Sequence, residues 1–518
     1  MVRPTAQSGA LAGLPLVLLA ALLALSAVFG VGLTRPSGVD ATAATTRYMV
    51  VLKGTMGTDG FSALGDVATV KQLVATAGGA VTIDLSKQIG VFVVDSPNAL
   101  FASLLGSSPL VEVAAQDFKW KAFPSMQEAL DSGQLTIVEP SSVPGGGPDE
   151  TEDLLEPLQW NMAQIRTDEA HAIQASSRAV QVGILDSGID GRHVDFLDGD
   201  LTNVDCLLGR DFVSIGGPGV GNPDPCTDNQ FHGTHVAGIV AARANGIGVV
   251  GVAPNVTLIP VKVCDTTGYC YSSSTAAGIT YAGDAKFEVI NMSFFVDDND
   301  IQESTEFKCA SDPVQHAFRQ ANERAIQYAR NQGVVPVAAL GNSDQDLAHP
   351  VDDTGQPVSN ECEVVPAETQ GVIGTMALGP AKEKAYYSNY GAGATDVAAP
   401  GGNPEYIDQI CVSEVMSTIP GSLYGCFSGT SMASPHAAGV AALIVSQFGR
   451  LNDDAGTPDV VMRPQEVENY LQSTTVDQGL PGYDECFGNG RIDALRAVTH
   501  DTSKLYDATA PFCPEYEE

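Results

Sequence analysis

The chain has 518 residues, of which 44% are hydrophobic, so it is long enough to bury more than one core. Its 62 Asp and Glu residues outnumber 26 Lys and Arg residues, and the net charge of −36 argues against nucleic acid or an anionic membrane surface as a partner. Ten cysteines, none of them in a Cys-x-x-Cys pair, argue against a reduced cytosolic enzyme.

An uncharged apolar stretch, residues 11–33, follows Arg3 near the N-terminus. A small-x-small sequence at residues 41–43 lies close behind it and suits signal peptidase. We therefore expect residues 1–44 to be a signal peptide and the protein to be secreted. About 20 apolar residues also suffice to span a bilayer, so an uncleaved membrane anchor stays as the alternative.

Residues 45–122 alternate short strand and helix patterns. Strands are predicted at 47–52, 89–94 and 111–113, and helices at 67–77 and 99–105. This alternation predicts a small separate α+β domain. Residues 123–155 then shift to Pro, Gly, Ser and acidic residues, which bury little surface and predict an exposed linker.

Residues 156–500 form a longer α/β body. Strands are predicted at 182–185, 258–263, 289–292 and 334–339, and helices at 232–243, 274–282 and 314–332. The alternation predicts a doubly wound, mostly parallel sheet with helices on both faces. Active residues then belong at the carboxyl ends of the strands. Residues 501–518 are expected to be a C-terminal tail.

Three segments of this body carry an acid, a histidine and a serine. An apolar strand ends on Asp186, His232 opens a helix, and Ser431 lies among small residues in the segment 427–436. A serine hydroxyl needs a neighbouring imidazole to take its proton, and a carboxylate holds that imidazole in the required tautomer. Each residue alone is more often a helix cap or a buried histidine. The order Asp, His, Ser across the three segments instead indicates a catalytic triad.

The three segments closely resemble those of the subtilisin-like serine proteases, the subtilases. The resemblance implies that Asp186, His232 and Ser431 are the triad of a serine endopeptidase. Such an enzyme cleaves polypeptide substrates through an acyl-enzyme intermediate, with no cofactor in catalysis. It also implies that Asn342, which follows an apolar strand, donates a side-chain N–H to the developing oxyanion.

The same resemblance gives residues 45–122 a role. In subtilases a small N-terminal propeptide is a folding template and a tight intramolecular inhibitor of a self-processing precursor. A plain accessory domain is the alternative. Two regions are candidates for the processing cut, the segment 118–123 and the linker that follows, and the sequence does not separate them.

Substrate-binding residues are also implied by the resemblance. Ser293 matches the strand whose backbone pairs with an extended peptide, which predicts sequence-tolerant β-augmentation. Phe294 and the two residues after it are large where subtilases typically have glycines, so they would narrow the primary pocket. A plain core role for Phe294 is at least as well supported. Gly268 is expected on the opposite rim, and Gly341 beside Asn342.

Neighbouring cysteines are expected to pair, because little loop entropy opposes closure of a short loop, although the sequence alone does not fix the connectivity. The expected bridges are Cys206–Cys226, Cys264–Cys270, Cys309–Cys362, Cys411–Cys426 and Cys486–Cys513.

Subtilases often hold a structural calcium ion, and this chain matches their pattern. The matching residues are Asp195, Asn245 and the carbonyls of Ile247 and Val249, with Glu156 in the N-terminal position. Calcium takes six to eight oxygen ligands from carboxylates, amides and carbonyls, which this set supplies. Asp195 alone is also compatible with a solvated or capping acid.

Two other functional classes fit the motifs less well. A non-catalytic subtilase-like interaction domain would be expected to lack a triad residue or the oxyanion donor, and all four are present. A lipase or esterase would place its serine in Gly-x-Ser-x-Gly, with acid and histidine downstream. Here Ala433 replaces the last glycine and both partners lie upstream. We expect a monomeric protease.

Overall fold

The structure is a computed structural model that describes residues 45–138, 153–213, 224–296, 312–351, 356–357, 363–404, 411–452 and 459–513. Within these ranges no helix combines the length and the apolar character that a membrane span requires. The expected signal peptide, residues 1–44, lies outside the described residues.

An antiparallel sheet with two helices forms the N-terminal unit. Its elements are β1 (Thr46–Leu52), β2 (Gly54–Gly57), β3 (Gly60–Ala63), α1 (Val67–Thr76), β4 (Ala80–Leu85), β5 (Val91–Ser96), α2 (Phe101–Gly106) and β6 (Val111–Gln116). The sheet order is β4-β5-β1-β6. Along β1, Tyr48 and Val50 pack with the helices, whereas Met49 and Val51 pack with the larger domain. The unit therefore has the expected α+β fold, and its central strands β1 and β5 are mostly buried on both faces.

The region expected to be an exposed linker, residues 123–155, begins with folded structure. Its neighbourhood contains β7 (Lys119–Lys121), α3 (Met126–Ser132) and β8 (Thr136–Val138). Ser125 and Glu128 cap α3 reciprocally, and Ala129 and Leu135 are buried in the core of the larger domain. The linker expectation does not hold for residues 125–138, because these apolar side chains bury against the larger domain. Residues 139–152 lie outside the described residues.

The larger domain follows. Its elements are α4 (Trp160–Gln164), α5 (Thr167–His171), β9 (Gln181–Asp186), β10 (Leu197–Asp198), β11 (Leu201–Thr202), β12 (Arg210–Asp211), α6 (His232–Ala241), β13 (Thr257–Lys262), β14 (Tyr269–Tyr271), α7 (Ser272–Ala285), β15 (Val289–Met292), α8 (Pro313–Asn331), β16 (Val335–Ala339), β17 (Ile373–Leu378), β18 (Val397–Pro400), β19 (Val415–Ile419), β20 (Leu423–Phe427), α9 (Thr430–Phe448), β21 (Arg450–Asn452), β22 (Asp459–Val461), α10 (Pro464–Ser473) and α11 (Ala494–Thr499).

Seven parallel strands form the centre of this domain, in the order β12-β13-β9-β15-β16-β17-β18. Val182 and Ile184 of β9 pack with residues of α6 and α9, whereas Leu185 packs with residues of α7 and α8. Helices therefore cover both faces, which confirms the expected doubly wound α/β fold. Because the strands are parallel, their carboxyl ends meet at one edge of the sheet.

Disulfides fix the loops around this core. Four expected bridges are present: Cys206–Cys226, Cys264–Cys270, Cys411–Cys426 and Cys486–Cys513. Both cysteines of the fifth expected bridge, Cys309 and Cys362, lie outside the described residues. The bridge at Cys513 and an ion pair of 2.6 Å between Asp507 and Lys382 hold the expected C-terminal tail against the domain.

Candidate active site

Asp186 and His232 form a buried pair at the carboxyl end of β9. Asp186 is the last residue of β9, His232 is the first residue of α6, and both side chains are fully buried. Nδ1 of His232 lies 2.9 Å from Oδ2 and 3.0 Å from Oδ1 of Asp186. An ionised carboxylate only accepts hydrogen bonds, so Nδ1–H donates and Nε2 is left as the basic nitrogen.

The backbone before and after His232 is adapted to this contact. A Cβ on Gly233 would lie 2.1 Å from the carbonyl oxygen of Gly188, so only glycine lets the start of α6 approach the loop after β9 this closely. Phe231, directly before His232, has a φ of 140°, which residues with side chains rarely adopt. Strain of this kind persists where surrounding contacts enforce it.

Asp228, which the sequence analysis missed, supplies part of those contacts. Its Oδ1 accepts hydrogen bonds from the hydroxyl of Ser187 (3.0 Å) and the N–H of Gln230 (2.9 Å). Its Oδ2 accepts from the N–H and the hydroxyl of Thr234, at 3.0 and 2.7 Å. Asp228 therefore ties the loop after Asp186 to the first turn of α6. The N-cap of α6 is Phe231, and Asp228 lies three residues before it, so the usual capping pattern does not identify Asp228 from the sequence.

Ser431 lies in the first turn of α9 and is 4% exposed. Its hydroxyl donates to the carbonyl oxygen of Ser293 at 2.9 Å, and the hydroxyl of Ser293 donates to the carbonyl oxygen of Ser431 at 2.8 Å. Nε2 of His232 has no hydrogen-bond partner among the described residues. His232 and Ser431 line one cleft of about 310 Å³, but they are not hydrogen-bonded to each other.

Asn342 lines the same cleft. Its Oδ1 accepts hydrogen bonds from the N–H and the hydroxyl of Thr430, both at 2.9 Å. Because that oxygen accepts both hydrogen bonds, the side-chain NH₂ is the group that remains available to donate a hydrogen bond into the cleft. A donor there can stabilise negative charge on an oxygen that develops beside Ser431. Gly341 packs behind it and donates its N–H to the hydroxyl of Thr430 at 3.1 Å.

Residues of the chain itself run along this cleft. β7 pairs antiparallel with β14, and the N–H of Ala122 donates to the carbonyl oxygen of Gly268 at 2.9 Å. Gly268 has a φ of +86°, and a Cβ there would lie 2.0 Å from the carbonyl oxygen of Phe123. The glycine expected on the rim is thus at a strand edge that receives an extended peptide.

The other expected substrate residues lie at the same cleft or next to it. Ser293 contacts Ser431 as described, and Phe294 is 2% exposed with its ring centroid 6.1 Å from that of Trp120 in β7. Phe294 is therefore buried and also faces a side chain of the segment in the cleft. Phe294 is thus a core residue, and its role in a substrate pocket stays a prediction.

Four of the five residues expected to bind calcium, Asp195, Asn245, Ile247 and Val249, meet at one loop. The N–H of Val249 donates to Oδ2 of Asp195, and the N–H of Ile247 donates to Oδ1 of Asn245, both at 3.0 Å. Oδ1 of Asp195 is buried and has no partner among the described residues. Burial raises the pKa of Asp195 to about 8, and the charge of Asp153 contributes to the rise. A buried carboxylate oxygen without a partner fits a cation.

The acid next to this loop is Asp153 and not the expected Glu156. Oδ1 of Asp153 accepts hydrogen bonds from the N–H groups of Ile247 (2.8 Å) and Asn245 (3.2 Å). Glu156 begins a 3₁₀ turn, Glu156–Leu158, and lines a cavity with Asp168. Burial, followed by the charge of Asp168, raises the pKa of Glu156 to about 7. Glu156 therefore contacts a second acid instead of the loop.

Comparison with known proteins finds one family. A family model described as the subtilase family matches residues 177–490. A thermophilic serine proteinase of Bacillus sp. (strain AK1) is 34% identical over 343 residues, which cover 66% of this chain and 67% of that protein. Subtilisin DY of Bacillus licheniformis is 33% identical over 341 residues, which cover 66% of this chain and 98% of that protein.

A solved structure has the same fold. The epidermin leader peptide processing serine protease of Staphylococcus aureus superimposes with a TM-score of 0.64 and 19% sequence identity. The match covers 88% of this chain and 98% of that one. At this identity the likeness concerns the fold alone.

Proposed function

The chain belongs to the subtilase family of serine proteases, and we propose that it is a secreted endopeptidase made as a self-processing precursor. In this proposal Asp186, His232 and Ser431 are the catalytic triad, and Asn342 is the oxyanion donor. The observation that carries it is the buried Asp186–His232 pair, in which Nε2 has no partner among the described residues and His232 lines the same cleft as Ser431.

The reaction has two halves, acylation of Ser431 and hydrolysis of the acyl-enzyme, and the same catalytic groups act in each half. Oγ of Ser431 attacks the peptide carbonyl carbon while Nε2 of His232 takes the hydroxyl proton, and Asp186 stabilises the imidazolium that forms. Asn342 donates to the oxyanion of the tetrahedral intermediate. The C–N bond then breaks as His232 returns the proton to the departing amine, and water hydrolyses the acyl-enzyme by the same steps.

The substrate class follows from the cleft edge. β14 pairs with an extended segment through backbone groups, as in the contact between Ala122 and Gly268. Backbone pairing of this kind selects for an extended conformation of the peptide more than for its amino-acid sequence. We therefore propose unfolded or extended polypeptides as substrates.

A cleavage pattern tests this function. The processed protein is expected to cut a denatured polypeptide at internal bonds, which mass spectrometry would detect as several fragments of intermediate length. Stepwise release of single amino acids, or no hydrolysis of any polypeptide, would contradict the proposal.

The N-terminal unit is proposed to be the inhibitory propeptide. Arg324 of α8 donates to the carbonyl oxygen of Leu52 at 3.0 Å and forms an ion pair of 2.5 Å with Glu112. The carboxylate of Asp117 accepts hydrogen bonds from the N–H and the hydroxyl of Ser273, at 2.9 and 2.5 Å. These partly or fully buried polar contacts support a specific interface and not an incidental one. Secretion is supported by the apolar N-terminal stretch and the disulfides.

Calcium is proposed to stabilise the protein through Asp195, Asn245 and the carbonyls of Ile247 and Val249. A ligand that binds only the folded state stabilises it by about 2.7 kcal/mol at a hundred times its Kd. Thermal inactivation of the processed enzyme should therefore be faster in EGTA and slow again when calcium is restored.

The variant Asp195→Ala is expected to lose most of this calcium response. Asp198→Ala is the matched control, because Asp198 is three residues away and its side chain is 70% exposed. Equal responses of Asp195→Ala and wild type would mean that Asp195 is not a ligand.

A further inference from the structure

Glu414 lines the catalytic cleft that also contains Ser431. It directly precedes β19, and its carbonyl oxygen accepts a hydrogen bond from Nε1 of Trp160 in α4 at 2.8 Å. The Cys411–Cys426 disulfide joins the same segment to β20. The backbone of Glu414 is therefore held by contacts with two other elements, which fixes its position in the wall of the cleft.

The carboxylate of Glu414 lacks a positively charged partner. Within the part of the chain that the structure describes, it forms no hydrogen bond and no ion pair. Burial raises the pKa of Glu414 to about 7. Lys384, two residues before Tyr386 on the same cleft wall, forms an ion pair with Asp344 instead. A carboxylate that is partly withdrawn from water without a partner is unfavourable, so a cation on a bound molecule would stabilise it.

The ring of Tyr386 adds an aromatic surface to the same cleft. It lines the cleft and is 52% exposed. The neighbouring ring of Tyr387 supports it edge-on, with a centroid distance of 5.3 Å and an interplanar angle of 82°. Tyr387 is itself fixed, because its hydroxyl donates to the carbonyl oxygen of Gly402 at 2.7 Å. The face of an aromatic ring attracts the cation of Lys or Arg, so Glu414 and Tyr386 both favour a basic side chain.

Strand β7 shows in which direction a peptide runs through this cleft. Residues 119–121 pair with β14, and the ring of Phe123 then stacks on that of His232 with a centroid distance of 4.1 Å. The next residue, Pro124, lines the cleft together with Glu414. A substrate that pairs with β14 in the same direction therefore places the residues after its cleaved bond toward Glu414.

Building on the proposed function, we propose that Glu414 and Tyr386 bind a lysine or arginine side chain of the substrate, at the first or second residue after the cleaved bond. The carboxylate neutralises the cation, and the ring contacts both the cation and its apolar stem. An extended chain rises about 3.3 Å per residue, so these two residues are near enough to Ser431 to share its cleft. The site makes cleavage before a basic residue faster and takes no part in the bond-breaking steps.

The test begins with the processed wild-type enzyme. It digests a mixture of denatured polypeptides at about pH 8.5, where Glu414 is ionised and a lysine side chain, with a pKa of about 10.4, is still charged. Mass spectrometry of the fragments identifies the two residues that follow each cut. Lys and Arg are expected there several times more often than in the mixture as a whole. Cut sites without this enrichment would contradict the proposal.

Two matched peptides then measure the effect of Glu414. They differ only by Lys or Gln at the enriched position, and the ratio of their kcat/KM values is determined separately for each enzyme. The ratio is expected to be about ten for the wild type and close to one for Glu414→Gln, because a partly buried ion pair is lost. Glu414→Lys should instead prefer a peptide with Glu at that position. A preference for Lys that persists in either variant would overturn the site.

Glu169→Gln is the matched control, because it removes the same charge from an exposed residue of α5 that does not line the cleft. It should keep the wild-type ratio, and loss of the preference here would show that overall charge and not Glu414 causes it. If Glu414→Gln does not fold, Tyr386→Leu addresses the same site. Its ratio should fall about threefold because the aromatic face is lost, and an unchanged ratio contradicts the proposal.

The outcomes separate this site from the proposed function. If polypeptides are cut with no preference for a basic residue after the bond, the site is wrong and the protease function stands. No hydrolysis of any polypeptide would instead overturn the proposed function, and the site with it.

Discussion

The variant Ser431→Ala is expected to lose peptide hydrolysis almost entirely, with kcat lower by a factor on the order of 10⁶, the size known for loss of this nucleophile in a subtilisin. Without Oγ no acyl-enzyme forms, and Asn342 and His232 have no attacking group to assist. Steady-state hydrolysis of a denatured polypeptide measures the loss. The same variant should accumulate as an unprocessed precursor, because self-processing needs the same hydroxyl.

Ser446→Ala is the matched control. Ser446 lies on the same helix, α9, and its hydroxyl donates to the carbonyl oxygen of Ala442 at 2.7 Å. This variant should process and hydrolyse as wild type does. Purified Ser431→Ala that still removes its own N-terminal unit would overturn the self-processing mechanism.

The second large effect is expected at Asn342. Asn342→Leu keeps the approximate size of the side chain and removes the NH₂ group that is proposed to donate a hydrogen bond to the oxyanion. The oxyanion exists only along the reaction path, so kcat should fall by about 10²–10³ with KM little changed, the range known for this donor in a subtilisin. Initial rates over a range of peptide concentrations separate the two constants.

Asn469→Leu, on the exposed face of α10, controls for the substitution itself. It should leave both kinetic constants near their wild-type values. If Asn342→Leu keeps normal turnover, or changes KM alone, Asn342 has no role in stabilising the transition state.

The parallel sheet, the three segments with the expected triad residues and the disulfides were predicted from the sequence, because each leaves a local pattern in it. Strand and helix periodicity gave the parallel sheet, and the segments around Asp186, His232 and Ser431 each have a recognisable local context. Of the three, only Asp186 ends a strand of the parallel sheet, whereas His232 opens α6 and Ser431 follows β20 of a separate antiparallel sheet, so the resemblance and not the strand pattern predicted that they meet. The four described disulfides followed from short separations along the chain.

The rest depends on contacts that no local pattern contains. Asp153, and not the expected Glu156, accepts a hydrogen bond from the loop at Ile247, and Glu156 instead begins a 3₁₀ helix. Residues 125–138 look like a linker by average composition, yet Leu135 has a burial site on the larger domain. Phe123 stacks on His232 at a centroid distance of 4.1 Å, in a segment between β7 and β8 that pairs with β14 and β20, both distant in sequence.

The central claim is that Ser431 is the nucleophile of a serine protease. Peptide mapping of the processed protein after reaction with a fluorophosphonate tests it most directly, since the reagent bonds to the attacking oxygen with loss of fluoride. The account predicts a single adduct on Ser431 that forms in step with the loss of activity. An adduct on another residue, or full activity after complete modification of Ser431, would contradict it.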